Sequence, residues 1–250
     1  MTTLKDKVIV ITGGNSGIGY STAQQAVAEG GKVIITGRKK EAIEKAAKEL
    51  NATAIVADQG KLADIDQLVA EVKNTQGKVD VLFINAGIGA FIPIENATEE
   101  HYDDIMNINF KGAYFTLSKF IPILNDGASV ILLSSINGTI GMANSSVYSA
   151  SKAALNSLTK VASMELAPRK IRVNTVSPGP IATPIFGKLE MDEAGIDEFK
   201  SAMSNRIPLK RFGTPEEVAK LVLFLAHDSA QFITGSEFVV DGGLSINSVF

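Results

Sequence analysis

Cysteine is absent from the 250 residues, which excludes a disulfide framework and a thiolate metal site together. Such a composition suits a reducing cytosol. Histidine occurs only at His101 and His227, far apart in sequence, so a histidine-based metal centre is not expected. No run approaches the ~20 apolar residues of a membrane span, and the opening Met1-Thr2-Thr3-Leu4-Lys5-Asp6-Lys7 has no apolar signal region. A basic excess is missing too. The 24 Lys and Arg face 27 Asp and Glu, giving a net charge of -3 and a pI near 5.5, with the two signs interspersed. That leaves no field for nucleic acid. Repeats, low-complexity tracts and linkers are also lacking. The expectation is a soluble, cytoplasmic protein with neither nucleic acid nor membrane as partner.

What is present is 45% apolar content, enough for a full core. It is distributed as short β-branched runs alternating with helical patterns. Strands are expected at Lys7 to Thr12, Lys32 to Thr36, Thr53 to Ala57, Val79 to Ile84, Ala128 to Leu133, Arg172 to Val176 and Glu237 to Val240. Helices fall between them, among them one capped by Thr98 and running to about Leu124. Another opens at the capping box Thr214-Pro215-Glu216-Glu217. This alternation predicts one α/β domain over residues 1–250: a doubly wound, Rossmann-type parallel sheet of about seven strands with helices on both faces. From Ile185 to Arg211 the pattern weakens into a polar, partly helical excursion of the kind that serves as a substrate lid.

The stretch that suggests chemistry is Val147-Tyr148-Ser149-Ala150-Ser151-Lys152. On a helix, Tyr148 and Lys152 project from one face, a turn apart. A free phenol has a pKa of ~10, and a nearby ammonium lowers it, so that the tyrosine can pass a proton to or from a substrate oxygen. A solvated lysine beside a packed tyrosine explains the bare pair equally. The rest of the chain has to decide.

The first strand breaks into Thr12-Gly13-Gly14-Asn15-Ser16-Gly17-Ile18-Gly19 and then into a helix. Glycines admit close backbone approach, and the helix N-terminus beyond them offers free N–H groups to a phosphate. An ordinary glycine-rich βα turn has the same look. At the end of the second strand, where an acid commonly binds the ribose of NAD, stand Gly37, Arg38, Lys39 and Lys40. Cations opening a helix oppose its dipole unless an anion, such as the 2′-phosphate of NADP, sits among them. Solvation offset by Glu41 is the other explanation. Asp58 and Gln59, after the third strand, are placed for an adenine edge, although Asp58 serves equally as a helix cap. Asn85-Ala86-Gly87 leaves room for a flat ligand beyond the fourth strand, as a plain turn would. Asn107 and Asn109 interrupt an apolar stretch, so one of them is expected to face inward.

Taken together, Thr12-Gly13-x-x-x-Gly17-x-Gly19, Asn85-Ala86-Gly87, Asn109, Ser135, Tyr148-x-x-x-Lys152 and Pro178-Gly179 resemble the short-chain dehydrogenase/reductase family in order and spacing, across essentially the whole chain. The resemblance implies an NAD(P)-dependent oxidoreductase with Tyr148 as general acid or base. Lys152 would hold the nicotinamide ribose, Ser135 would polarise the substrate oxygen, and Asn109 would position a water. Gly13, Asn15, Ser16, Gly17, Ile18 and Gly19 would line the pyrophosphate. Arg38 and Lys39 would meet a 2′-phosphate, and Asp58 and Gln59 the adenine. Asn85, Ala86 and Gly87 would border the adenosine, while Pro178, Gly179, Ile181 and Thr183 would hold the nicotinamide. NADP(H) is favoured through Arg38. Ser16 stands where NADP-using members often carry a basic residue, so NAD(H) stays open.

An apolar wall of Ile136, Met142, Ile185 and Phe186 points to a small hydrophobic ketone or secondary alcohol. A 3-oxoacyl reductase and a glucose-type sugar dehydrogenase are the alternatives within the family. Against the first, Asn125-Asp126-Gly127-Ala128-Ser129 lacks the basic residues that members acting on acyl carrier protein place there. Enoyl reductases space their tyrosine and lysine more widely. A non-catalytic, cofactor-sensing protein is the alternative of another kind, although such relatives tend to lose the tyrosine or the lysine. Apolar residues on more than one face of the Tyr148 helix, together with Leu244 to Phe250, suggest a homo-oligomer, a tetramer as is common in the family.

Overall fold

A computed structural model describes residues 3–183 and 193–246. In chain order the elements are β1 (Val8–Thr12), α1 (Gly17–Ala28), β2 (Lys32–Gly37), α2 (Lys40–Leu50), β3 (Thr53–Val56), α3 (Leu62–Gln76), β4 (Val79–Ile84), α4 (Glu99–Met106), α5 (Ala113–Phe120), β5 (Leu124–Leu133), α6 (Ser146–Leu166), β6 (Arg172–Pro178), α7 (Glu193–Arg206), α8 (Pro215–Ala226) and β7 (Glu237–Val240). The seven strands form one parallel sheet in the order β3-β2-β1-β4-β5-β6-β7. This is the doubly wound Rossmann-type domain that the alternation predicts.

Each strand feeds both faces, because successive side chains point to opposite sides. Val8 and Val10 of β1 join the core beneath α3, α5 and α6, with Leu82, Leu117, Phe120 and Leu155. Ile9 and Ile11 join the opposite core beneath α1, α2 and α8, with Ala23, Ile43, Phe83 and Val222. Both faces are covered, which explains why the central strands read as continuous apolar runs. Chain order reverses between β1 and β4, so the loops after these strands part there and open a crevice at the sheet's C-terminal edge.

Three local departures from expectation have physical causes. The helix expected to reach Leu124 ends at Phe120, where a short 3-10 turn carries Pro122, a residue with no N–H to continue the ladder. Its middle is not α-helical either, since Asn107–Gly112 form a π-helical turn between α4 and α5. β5 starts earlier than its apolar run, pairing Leu124 with Val79 and then Ser129 with Val81, so the intervening residues bulge. The caps behave as expected: Thr98 Oγ1 accepts from the His101 N–H at 3.1 Å, and the Thr214–Glu217 capping box is formed. Within the excursion expected as a lid, α7 is helical; Ile185 and Phe186 lie outside the described residues. No helix among the described residues is long and apolar enough to cross a membrane.

Candidate active site

At the crevice, Gly13 and Gly17 adopt φ of +67° and +54°, a region that side chains rarely enter. A Cβ on Gly19 would lie 2.3 Å from the Gly13 carbonyl oxygen, so the turn closes on itself only with glycine there. The first turn of α1 has no acidic residue, and Ser16 gives it no side-chain cap. Its N–H groups therefore face the crevice as an anion site. Thr183 approaches the same turn from the far end of the chain, its Cγ2 lying 3.4 Å from where a Gly17 Cβ would stand. Arg38 and Lys39 are exposed at the end of β2 and enter no ion pair among the described residues.

The four residues expected to carry chemistry come together across the end of β5. Ser135 follows β5, and its Oγ accepts from the Asn137 N–H at 3.2 Å, leaving its own proton free to donate. Its hydroxyl lies near enough to Tyr148 to act on the phenol. Burial pushes the Tyr148 phenol above its usual range, and the Ser135 hydrogen bond pulls it partly back. Lys152 is buried, and its Nζ donates to the Leu133 carbonyl at 2.8 Å and lies 5.6 Å from the centre of the Tyr148 ring. Desolvation lowers its pKa to about 8. The expected lowering of the phenol by an adjacent ammonium is thus not what governs Tyr148 here; desolvation wins.

Asn109 is the asparagine that faces inward, and both ends of its side chain are engaged. Oδ1 accepts from the Ile88 N–H at 2.8 Å, while Nδ2 donates to the Ile88 carbonyl at 2.9 Å and to Ser151 Oγ at 3.2 Å. Ser151 in turn donates to the Tyr148 carbonyl at 2.7 Å. Asn107 faces outward and accepts from Lys111 at 3.3 Å. A Cβ on Gly87 would stand 3.2 Å from Asn109 Oδ1 and 3.5 Å from Lys152 Nζ, so that glycine borders the same space.

Several residues expected against a ligand are instead turned into the protein. Gln59 is buried, and its amide nitrogen donates to the carbonyls of Ala86 and Ile108 at 2.9 and 3.0 Å, bracing two loops rather than facing an adenine. Asp58 remains partly exposed, although Oδ1 accepts from the Gly60 N–H at 3.0 Å as a turn residue does. The Asn85 amide nitrogen donates to the carbonyls of Thr12 and Gly13 at 2.8 and 3.0 Å, and so pins β4 to the glycine turn. Ile181 packs in the core, and its Cδ1 would lie 2.6 Å from a Cβ on Gly213. Gly179 faces Asp241, whose Cβ leaves no room for another.

One contributor, Thr12, stands in the glycine motif without an expected role, and another, Phe91, escaped the sequence reading. Thr12 Oγ1 accepts from the N–H groups of both Asn85 and Ala86, at 3.0 and 2.9 Å. Phe91 meets the Tyr148 ring edge to face, with centroids 5.6 Å apart. Thr12 was signalled by its place before the glycines; nothing in the composition of the 88–98 loop marks Phe91.

The parallel doubly wound sheet, with an anion cradle and a half-buried tyrosine beside a buried lysine at its C-terminal edge, defines a dinucleotide-binding oxidoreductase fold. Comparison with known proteins narrows this. A family model described as enoyl-(acyl carrier protein) reductase matches residues 13–245. The oxidoreductase asL5 of Sarocladium schorii is 40% identical over 246 residues, covering 97% of each chain. The NADP-dependent (R)-specific alcohol dehydrogenase of Lentilactobacillus kefiri is 36% identical, covering 96% of this chain and 97% of that one. For the NAD-dependent glycerol dehydrogenase of Listeria innocua the figures are 36%, 97% and 95%. The structure of the ligand-free aldohexose dehydrogenase of Thermoplasma acidophilum superimposes with a TM-score of 0.91 at 32% identity, covering 99% of this chain and 97% of that one. The chain belongs to the short-chain dehydrogenase/reductase family of oxidoreductases.

That family implies a nicotinamide coenzyme, and the residues present fit one. The uncapped α1 N-terminus suits a pyrophosphate, the exposed cations after β2 suit an anion at the adenosine end, and Gly87 leaves open the space in front of Lys152. Among the described residues no group of histidines and acids could hold a metal ion.

Proposed function

We propose that this protein reduces small hydrophobic ketones, and oxidises the corresponding secondary alcohols, using NADP(H) in preference to NAD(H). The observation that carries the reading is the pairing of the Ser135 and Tyr148 hydroxyls, near enough for Ser135 to act on the phenol, beside buried Lys152 at the crevice. Two O–H donors that meet at one point can both turn to a carbonyl oxygen placed between them. A reduced nicotinamide dinucleotide, when bound, supplies the hydride that the carbonyl carbon takes up, and is left oxidised. Tyr148 gives its phenolic proton to the oxygen as negative charge develops, and Ser135 steadies that charge by hydrogen bonding. Burial raises the Tyr148 pKa above its ordinary value, so the phenol carries the proton that reduction consumes.

Lys152, with one N–H held by Leu133, has others left for the ribose hydroxyls, and a pKa of about 8 lets it relay the replacement proton. Asn109 acts at one remove, fixing Ile88 and, through Ser151, the Tyr148 backbone. On this reading Gly13, Asn15, Ser16, Gly17, Ile18 and Gly19 follow the pyrophosphate. Asp58 and Ala86 lie at the adenosine side, and Pro178, Gly179 and Thr183 at the nicotinamide. Arg38 and Lys39, exposed and without ion-pair partners among the described residues, support the NADP preference. The L. kefiri relative is NADP-dependent and the L. innocua relative NAD-dependent, so both coenzymes occur among similar proteins.

Initial rates of ketone reduction with NADPH and NADH test the reading. NADPH is expected to be the faster, with the advantage lost in Arg38→Ala. Tyr148→Phe is expected to lose reduction by 10³-fold or more, on the order of general-acid contributions, while still binding NADPH. Full turnover in Tyr148→Phe would overturn the mechanism, and sugars turning over far faster than ketones would overturn the substrate class. The same reading takes the protein to be a cytoplasmic homotetramer, supported by the exposed Val161 and Met164 on α6.

A further inference from the structure

Phe91 is a large apolar side chain left 45% exposed on a loop, immediately beside a polar reaction centre. A single exposed apolar side chain is ordinary by itself; what sets Phe91 apart is its contact with Tyr148. Phe91 is not loose. Its ring meets Tyr148 at 5.6 Å and 67°, and the neighbouring Ile92 N–H donates to the Asn144 carbonyl at 2.7 Å, tying the loop after β4 to the loop before α6. That second loop carries Met142, also exposed at 40%, whose sulfur accepts from the Asn137 amide nitrogen at 3.8 Å. The Asn137 backbone in turn donates to Ser135 Oγ. The two hydroxyls proposed to hold the carbonyl oxygen are therefore each connected to an exposed, polarisable apolar group: Tyr148 to Phe91, and Ser135 through Asn137 to Met142.

Phe91 meets the Tyr148 ring edge to face at 67° and keeps 45% of its own surface exposed. A third ring can pack against it edge to face or offset, and thioether sulfur also favours aromatic neighbours. We propose that Phe91, with Met142 on the loop bound to it, forms an aryl-binding subsite, so that the enzyme selects ketones bearing a flat aromatic group beside the carbonyl. This rests on the ketone-reductase reading and adds the substrate class and a specificity residue to it. Phe91 does this in addition to steadying the plane of the Tyr148 ring.

The test compares kcat/KM for acetophenone and for 2-butanone in the wild type, Phe91→Ala, Phe91→Leu and Phe91→Tyr. It is accompanied by ligand-detected NMR of acetophenone binding to the protein loaded with NADP+. The wild type is expected to favour acetophenone. In Phe91→Ala and Phe91→Leu the aryl-to-alkyl ratio is expected to fall about two- to tenfold, the range that one aromatic contact supplies, with the change mainly in KM. Phe91→Tyr is expected to restore it. Phe91→Leu keeps apolar volume in case Phe91→Ala folds poorly. A ratio unmoved by Phe91→Leu, with acetophenone still reduced, would overturn the aryl subsite and leave the reductase. Acetophenone that binds the wild type without being reduced, and binds Phe91→Leu more weakly, would overturn the reductase reading and support the subsite. Neither binding nor reduction would overturn both.

Discussion

A lysine ammonium shut away from water has lost most of its hydration, and one carbonyl 2.8 Å away does not replace it. This is why Lys152 falls from the ordinary 10.5 to about 8. The unfolded chain then holds more protons than the folded one between those two values. Stability linked to Lys152 is therefore fully present above pH 10.5 and is lost as pH falls through about 8. Thermal unfolding of the coenzyme-free protein is expected to show Tm rising between pH 8 and 9.5 relative to Lys152→Met, which has no such proton to gain. Tyr148, displaced upward from 10.0, titrates beyond that window and is common to both proteins. A difference in Tm independent of pH would mean that Lys152 is not desolvated in solution. At this scale the sequence was legible where spacing alone places a side chain: Tyr148 and Lys152 share a helical face, and Ser135 ends a strand. It was not legible where direction depends on packing. Gln59 turns inward because the carbonyls of Ala86 and Ile108 happen to converge on it, and the contact between Phe91 and Tyr148 joins segments that only the fold brings together.

α8 shows how much of an element is held at its first turn. The Thr214 N–H donates to Glu217 Oε2 at 2.8 Å, and Arg211 grips the same carboxylate with both Nη atoms, at 2.8 and 2.6 Å. The Arg211 hydrogen bonds and the Thr214 N–H hold Glu217 well below the usual carboxylate range, at about 2. Its contribution is present above pH 4.5 and lost as pH falls toward 2. Urea unfolding at pH 6 and pH 3 is expected to show Glu217→Gln destabilised at the higher pH and closer to the wild type at the lower. Thr214→Ala is expected to be destabilised by ~1 kcal/mol at both, as for other N-caps. This helix was readable because its capping box and leading proline are local signals. The π turn at Asn107–Gly112 was not, since its two asparagines and glycine mark a weak stretch of helix without saying which irregularity it takes, and only the fold engages Asn109 with Ile88. Likewise the bulge in β5 reflects how Leu124 and Ser129 both pair with β4, which no property of β5 alone announces.

For the molecule as a whole, the alternation of runs gave away the layers, since a strand buried on both faces must be apolar throughout, and short helix-length connections permit only parallel neighbours. What the alternation does not give is what lies against the outer surface. Val161 and Met164 stand exposed on α6, Met164 at 78%. Light scattering is expected to return the mass of four chains of 26.5 kDa, and Met164→Glu to lower it; a monomer at micromolar concentration would sink the tetramer. The sheet order has a further consequence, for the time course of synthesis. Thr12 and Asn85, which together shape the crevice, stand 73 residues apart, and β1 lies between β2 and β4 in the sheet. On a growing chain β1 is flanked on one side long before the other side exists. The bonds by which Asn85 closes the glycine turn therefore have to wait until β4 has been made, when Tyr148 and Lys152 are still to be translated.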